Sequence, residues 1–138
     1  MFNHESEIRG FEYVTRKISS KIAKIKLGDK TPLKIGSLES SRDWGYAPEY
    51  VKAMQLMNES KNADDFIIST NKKSTVRDFL KWSCNSLGFK VFFDGAGLNE
   101  KCIDKKTGKI IAVVNKEFYR KIDAKSMKGN NSKIYKKL

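Results

Sequence analysis

The stretch Leu33-Lys34-Ile35-Gly36-Ser37-Leu38-Glu39-Ser40-Ser41-Arg42-Asp43-Trp44-Gly45-Tyr46 decides how the chain is read. A short apolar run (Leu33, Ile35, Leu38) leads through a glycine into an Arg-Asp-aromatic-Gly turn, and a helix follows. This places one cation at the mouth of a strand–loop–helix junction, with Trp44 holding the turn down. A guanidinium presented there suits a phosphate, because its planar fork donates two parallel hydrogen bonds. Taken alone, the stretch reads more simply as a surface Arg-Asp pair beside a packed tryptophan.

On the N-terminal side, Val14, Ile18, Ile22 and Ile25 recur at helical spacing between Glu12 and Leu27, and Gly28 is a natural stop. Arg16, Lys17, Lys21 and Lys24 occupy the other face, which is most simply a solvated one, with a ligand role only near the helix start. Before it, Phe2 suits the end of a buried strand whose beginning lies outside the chain. After Tyr46, Pro48 fits the first turn of a helix, and Tyr50, Val51, Met54 and Met57 are expected to form its buried face. Phe66 to Thr70 reads as a β-type run. Ser74 or Thr75 caps a third helix with Val76, Phe79, Leu80, Ser83 and Leu87 inward, ended by Gly88. Phe89 to Phe93 is a further strand, and residues 102–104 and 109–114 flank a hairpin turn. A polar linker follows Arg120, and Asn130-Asn131-Ser132 caps a last helix beginning near Lys133. The fold class is therefore mixed α/β, read as one domain over residues 1–138.

Composition narrows the chemistry. With 138 residues, 39% hydrophobic content and 15 aromatics, the chain is large enough for a core and is not a disordered tail. No run approaches the roughly 18 apolar residues of a membrane span, and no basic-then-apolar leader opens the chain, so a soluble, cytoplasmic protein is the expectation. The net charge of +12 invites a nucleic-acid reading, but the lysines are dispersed through the chain rather than gathered on one stripe. Only five of the 28 cations are arginines (Arg9, Arg16, Arg42, Arg77, Arg120), and these are the cations to inspect for bidentate phosphate recognition. A metal site is not expected, since His4 is the lone histidine and Cys84 and Cys102 have no ligand spacing. Cys84 reads as a core thiol. No Gly-x-Gly-x-x-Gly follows a strand, and no Ser/His/Asp set or phosphate-loop motif is present.

Three separated stretches, in consistent order, resemble the GDP-mannose 4,6-dehydratase family of extended short-chain dehydrogenase/reductases. They are Phe2-Asn3-His4-Glu5-Ser6 with Arg9-Gly10 and Val14-Thr15-Arg16-Lys17-Ile18; Gly36-Ser37-Leu38 with Arg42-Asp43-Trp44-Gly45 and Tyr50-Val51; and, more loosely, Phe118-Tyr119-Arg120 with Asp123, Gly129 and Ser132-Lys133. The resemblance implies the C-terminal, GDP-sugar-binding portion of such an enzyme, lacking most of the Rossmann domain, with residues 1–10 as the end of that missing half. It implies that Asn3 contacts the sugar nucleotide, that His4 and Arg9 contact NADP, and that Thr15 and Lys17 face the GDP. Gly36 and Ser37 would lie along the guanine, Arg42 and Arg120 on the diphosphate, and Asp123 at the ribose. Two guanidinium forks suit a diphosphate, and a carboxylate suits a diol.

The sequence departs from the family pattern at Glu7-Ile8, Lys121, Asp123 and Lys125, the last reversing charge beside the ribose end. The family's glycine-rich NADP loop, Tyr-x-x-x-Lys pair and Thr and Glu acid/base residues are expected to precede Met1. The implied reaction converts GDP-mannose to GDP-4-keto-6-deoxymannose, on the route to GDP-fucose- or rhamnose-type sugars. This chain alone is expected to bind but not turn over, with no catalytic residue of its own. Its expected partners are GDP-mannose, the missing half in the same or a separate chain, and further copies in a homo-oligomer; nucleic acid and membrane are not expected. Another nucleotide-sugar epimerase or dehydratase, or a small basic nucleic-acid-binding protein, are the competing readings.

Overall fold

Hydrophobic periodicity sets most of the helices, and the strands are short. The computed structural model describes residues 1–120 and 126–138. In chain order its elements are β1 (Asn3–Glu5), α1 (Val14–Lys26), β2 (Leu33–Ile35), β3 (Ser41–Arg42), β4 (Trp44–Tyr46), α2 (Ala47–Glu59), β5 (Ser74–Thr75), α3 (Val76–Ser86), β6 (Val91–Asp94), β7 (Lys101–Asp104), β8 (Ile110–Val114) and α4 (Ser132–Lys137). They belong to two compact units. One comprises Met1–Arg9, Ser41–Ser74 and Lys125–Leu138; the other comprises Gly10–Ser40 and Thr75–Ala124. Among the described residues no helix is long and apolar enough to cross a membrane.

The second unit carries a four-stranded mixed sheet in the order β2-β8-β7-β6, with β2 parallel to β8 and the other pairings antiparallel. Leu33 and Ile35 are buried while Lys34 between them is exposed, the period-two alternation of a strand with one covered face. Helix α1 packs on α3 and β2. Its buried stripe is Thr15, Ile18, Ile22 and Ile25; Thr15 takes the place expected of Val14, which is half-buried. Ile18, Ile22, Leu80, Cys84, Cys102 and Ile111 are fully buried, each aliphatic side chain among them contributing about 1.5–3 kcal/mol. Cys84 is thus the core thiol expected of it.

Helix α3 starts on a capping box. Thr75 Oγ1 accepts from the Asp78 amide at 3.0 Å, and the Thr75 amide donates to Asp78 Oδ2 at 2.9 Å. The Thr75 hydroxyl and amide hold the Asp78 carboxyl below its usual range. The β7–β8 hairpin turns at Lys105-Lys106-Thr107-Gly108, where Gly108 adopts φ +70°, and Asp104 Oδ2 accepts from the Thr107 hydroxyl at 2.7 Å.

In the first unit β1 and β4 form a parallel pair, with Asn3 opposite Trp44, His4 opposite Gly45 and Glu5 opposite Tyr46. Helix α2 packs on both strands and begins with proline in its first turn. Three expectations are corrected here. Of the predicted α2 face Tyr50 is buried and Met57 half-buried, but Val51 and Met54 are 52% and 41% exposed, and Ala53 and Leu56 are half-buried beside them. A two-stranded ribbon covers only a narrow strip of helix, which leaves Val51 and Met54 outside it. Residues 66–70 form no strand: the backbone amide of Phe2 donates to Ile68 O at 3.0 Å, but no ladder follows. The expected turn at Arg42–Gly45 is instead two short strands on either side of Asp43, and the side chain buried there is Asp43, with Trp44 half-buried on β4.

Candidate functional site

In the second unit, the Lys17–Lys24 face of α1, Thr31 to Lys34 at the start of β2 and a 3-10 turn at Lys116–Phe118 border a groove of about 580 Å³. Phe11, Lys17, Lys21, Lys24, Lys34 and Phe118 are among its walls. The turn is locally specified. Asn115 Oδ1 accepts from the Glu117 amide at 2.8 Å, the Phe118 amide donates to Asn115 O at 3.1 Å, and the Asn115 amide donates to Ile35 O at 2.8 Å. Phe118 is thereby fastened to the end of β2, and the Lys17 ammonium lies 3.6 Å from its ring centroid. Such a contact is worth about 0.5–2 kcal/mol, more as water is excluded. Burial lowers the Lys17 pKa, and the Glu117 carboxylate opposes that shift.

Gly36 follows β2, and a Cβ added there would collide with the carbonyl oxygen of Phe118. A glycine is required because the 116–118 turn passes directly over it. Ser37 Oγ accepts from the Glu39 amide at 3.2 Å, a local serine turn. Thr15 is buried in the inward stripe of α1. Lys21 donates to Asp29 Oδ2 and to Thr31 Oγ1, both at 2.6 Å; its ammonium, then the Thr31 amide and hydroxyl, hold the Asp29 carboxyl well below the carboxylate range. The Arg16 guanidinium sits 5.0 Å from the Phe11 ring centroid. Arg120 is exposed two residues beyond Phe118. The groove thus joins aromatic walls to several ammonium groups, a combination that receives a flat ring bearing anionic substituents.

The first unit holds Asn3, His4, Arg9 and Arg42. Asn3 stands opposite Trp44 across the parallel pair. His4 Nδ1 lies 3.1 Å from Phe2 O and can donate to that carbonyl, which leaves Nε2 outside this contact. The His4 and Tyr50 rings are 5.3 Å apart and tilted by 35°. Arg9 Nε is 3.3 Å from Glu5 Oε2. Arg42 Nη1 donates to Ser41 O at 2.9 Å.

Asp43, beside Arg42, has no exposed surface. Its Oδ1 accepts from the Thr70 amide at 2.8 Å and the Thr70 hydroxyl at 2.5 Å, and its Oδ2 accepts from the Gly129 amide at 3.1 Å. Tyr50 lies under Gly45, where an added Cβ would stand 2.8 Å from Cζ and from Oη. Burial, then the carboxylates of Asp43 and Glu49, push the Tyr50 hydroxyl up to about 12.

Tyr50 is buried, as its place in the α2 pattern implies; the burial of Asp43 and the place of Phe118 in the groove wall are what the sequence pattern does not announce. Asp123, with Lys121 and Lys125, lies outside the described residues.

Comparison with known proteins bears on what this geometry serves. The sequence model of the GDP-mannose 4,6 dehydratase family matches residues 1–138. The chain is 41% identical over 138 residues to a GDP-mannose 4,6 dehydratase of Cricetulus griseus and 39% identical to one of Homo sapiens, covering 100% of this chain and 37% of each relative. A GDP-mannose 4,6-dehydratase of Sinorhizobium fredii is 36% identical over 133 residues, 96% of this chain and 38% of that protein. The chain therefore spans somewhat over a third of the length of these curated relatives. Among solved structures, RMD from Pseudomonas aeruginosa complexed with NADPH matches with a TM-score of 0.74 at 12% identity, over 98% of this chain and 39% of that one. The dTDP-glucose 4,6-dehydratase of Bacillus anthracis, solved with NAD, matches with a TM-score of 0.69 at 12% identity, over 99% of this chain and 36% of that one. At such identities the likeness speaks for the fold alone.

Proposed function

The chain belongs to the GDP-mannose 4,6-dehydratase family, and we propose that it is the part of such an enzyme that holds GDP-mannose. The observation that carries this reading is the groove between α1 and the 116–118 turn, where the Lys17 ammonium and the Phe118 ring face one another. In this reading Lys17 and the Gly36-Ser37 backbone attend the guanosine, Thr15 supports the start of α1, and Asp123 takes the ribose. Arg42 and Arg120 supply guanidinium forks for the diphosphate, and Asn3 addresses the sugar.

The proposed cofactor is NADP. His4, whose Nδ1 faces the Phe2 carbonyl, keeps Nε2 for a ligand, and Arg9, paired with Glu5, is a cation suited to a phosphate; these residues fit such a group. When bound, NADP would accept and return a hydride at the sugar. The residues of this chain bind and orient; a glycine-rich loop and the proton-transferring groups would come from the rest of a complete enzyme, in the same chain or a partner chain. Two features of the first unit favour such a completion. Among the described residues its parallel pair β1-β4 has only two strands, and α2 leaves Val51 and Met54 exposed, whereas parallel sheets are ordinarily extended and covered on both faces. Assembly of the completed enzyme as a homo-oligomer belongs to the same reading.

Calorimetric titration with GDP, GDP-mannose and UDP tests the proposal. GDP and GDP-mannose are expected to bind at least about tenfold more tightly than UDP, a difference near 1.4 kcal/mol. Equal binding of GDP and UDP points to a different nucleotide-sugar enzyme. Absence of nucleotide binding, with steeply salt-dependent binding of DNA, overturns the reading in favour of a basic nucleic-acid binder.

A further inference from the structure

Arg42 is held between two anchored neighbours. On one side Ser41 is buried, bridges in parallel to Ser126, and accepts at its carbonyl from both the Met127 amide at 3.3 Å and Arg42 Nη1 at 2.9 Å. On the other side Asp43 is fully buried, and its carboxylate receives the two Thr70 donors and the Gly129 amide. Gly129 can approach that closely only without a side chain, since a Cβ there would strike Ser69 and stand 2.9 Å from the Phe2 ring.

A buried carboxylate is costly to desolvate unless donors satisfy it. Here three donors do so, from segments 27 and 86 residues away. A carboxylate is required because both oxygens must accept; an asparagine amide would turn a donor toward one of these N–H groups. The next strand, Trp44–Tyr46, follows Asp43 directly and pairs in register with Asn3, His4 and Glu5.

We infer that Asp43 is a positioning residue for anion binding: by pinning the backbone to Thr70 and Gly129 it pre-orients the Arg42 guanidinium for the diphosphate of a nucleoside diphosphate. The inference rests on the proposed GDP reading. It assigns Asp43 no contact with ligand; its effect passes through Arg42.

A double-mutant cycle on GDP binding to the 138-residue chain tests it, with circular dichroism as the control for folding. Asp43→Asn is expected to weaken GDP binding about tenfold or more, the scale of one lost charge-assisted hydrogen bond. Thr70→Val, which keeps the backbone donor and removes the hydroxyl, is expected to weaken it by a smaller factor. In an Arg42→Ala background either change should shift the dissociation constant by less than about twofold, since residues acting through one group are non-additive. A merely structural role predicts equal losses in both backgrounds, and that result overturns the inference. So does a folded Asp43→Asn chain binding GDP like the parent. Where Asp43→Asn fails to fold, Thr70→Val decides: parental affinity, or the same loss with and without Arg42, overturns the inference. A parent chain that fails to bind GDP overturns the proposed function and this inference with it, whereas a binding parent with additive losses overturns the positioning role alone.

Discussion

Replacing Gly45 by alanine asks how tightly the first unit is packed where β4 meets α2. The added Cβ would stand 2.8 Å from Tyr50 Cζ and Oη and closer still to Cε2, and Tyr50 is only 3% exposed. Overpacking of this kind costs about 1–3 kcal/mol, offset by about 0.4–1 kcal/mol from the stiffer unfolded chain. A value near the upper end fits a collision with three ring atoms, leaving a net loss of about 2 kcal/mol. For a cooperative unfolding of this length that corresponds to about 7 °C in melting temperature. Urea denaturation followed by tryptophan fluorescence measures it, in a Trp82→Phe background so that Trp44 on β4 is the reporter; Trp82 is 55% exposed and its replacement should be mild. Tyr50→Leu removes the obstructing ring atoms, so the double variant should lose at least about 1 kcal/mol less than the sum of the single losses. A Gly45→Ala chain within about 0.5 kcal/mol of its parent, or strict additivity with Tyr50→Leu, refutes the steric argument.

The remaining expectations are smaller. Tyr50→Phe removes a buried hydroxyl that has no hydrogen-bond partner among the described residues, so thermal stability should stay level or rise by up to about 1 kcal/mol; a larger fall would reveal a partner. Thr75→Ala should destabilise α3 by about 1 kcal/mol in urea titrations. Because Thr75 depresses the Asp78 carboxyl, its stabilising contribution is present above the unfolded carboxylate pKa and is lost as pH falls through the folded value. The variant should therefore lose stability less steeply between neutral and acid pH than the parent does. Lys17→Met keeps the aliphatic stem and removes the charge, and calorimetry should show GDP binding weakened by about tenfold with the fold retained. The lowered Lys17 pKa means that the unfolded chain binds the extra proton between the folded and unfolded values, so parental stability gains from this group as pH rises through that interval. A pH series of melting temperatures should show that alkaline gain in the parent and its loss in Lys17→Met.

Local pattern was enough to locate α1, α3 and the β7–β8 hairpin, because the information for each lies within the element. An Ile18-Ile22-Ile25 stripe, a Thr75–Asp78 cap and a Thr107-Gly108 turn specify backbone conformation from a few neighbouring residues. The ordered motifs from Asn3 to Arg120 likewise identified the family from sequence, since a family likeness is carried by residue identity and order.

Elsewhere the deciding contacts are distant in sequence. Phe66 to Thr70 has the composition of a strand but no ladder, because a strand exists only where a partner edge accepts it. Helix α2 offered two adjoining apolar faces, and packing on β1 and β4 chose the one through Tyr50. Phe118 became a wall of the groove through the bond between Asn115 and Ile35, which no spacing announces. Asp43 shows the division most plainly: its sequence neighbours mark it as half of a surface ion pair, while Thr70 and Gly129 make it a buried, satisfied carboxylate. Helical periodicity, caps and turns are short-range and were written in the sequence itself. Burial of a charge and closure of a groove depend on which remote donors arrive, and only the tertiary structure decided that.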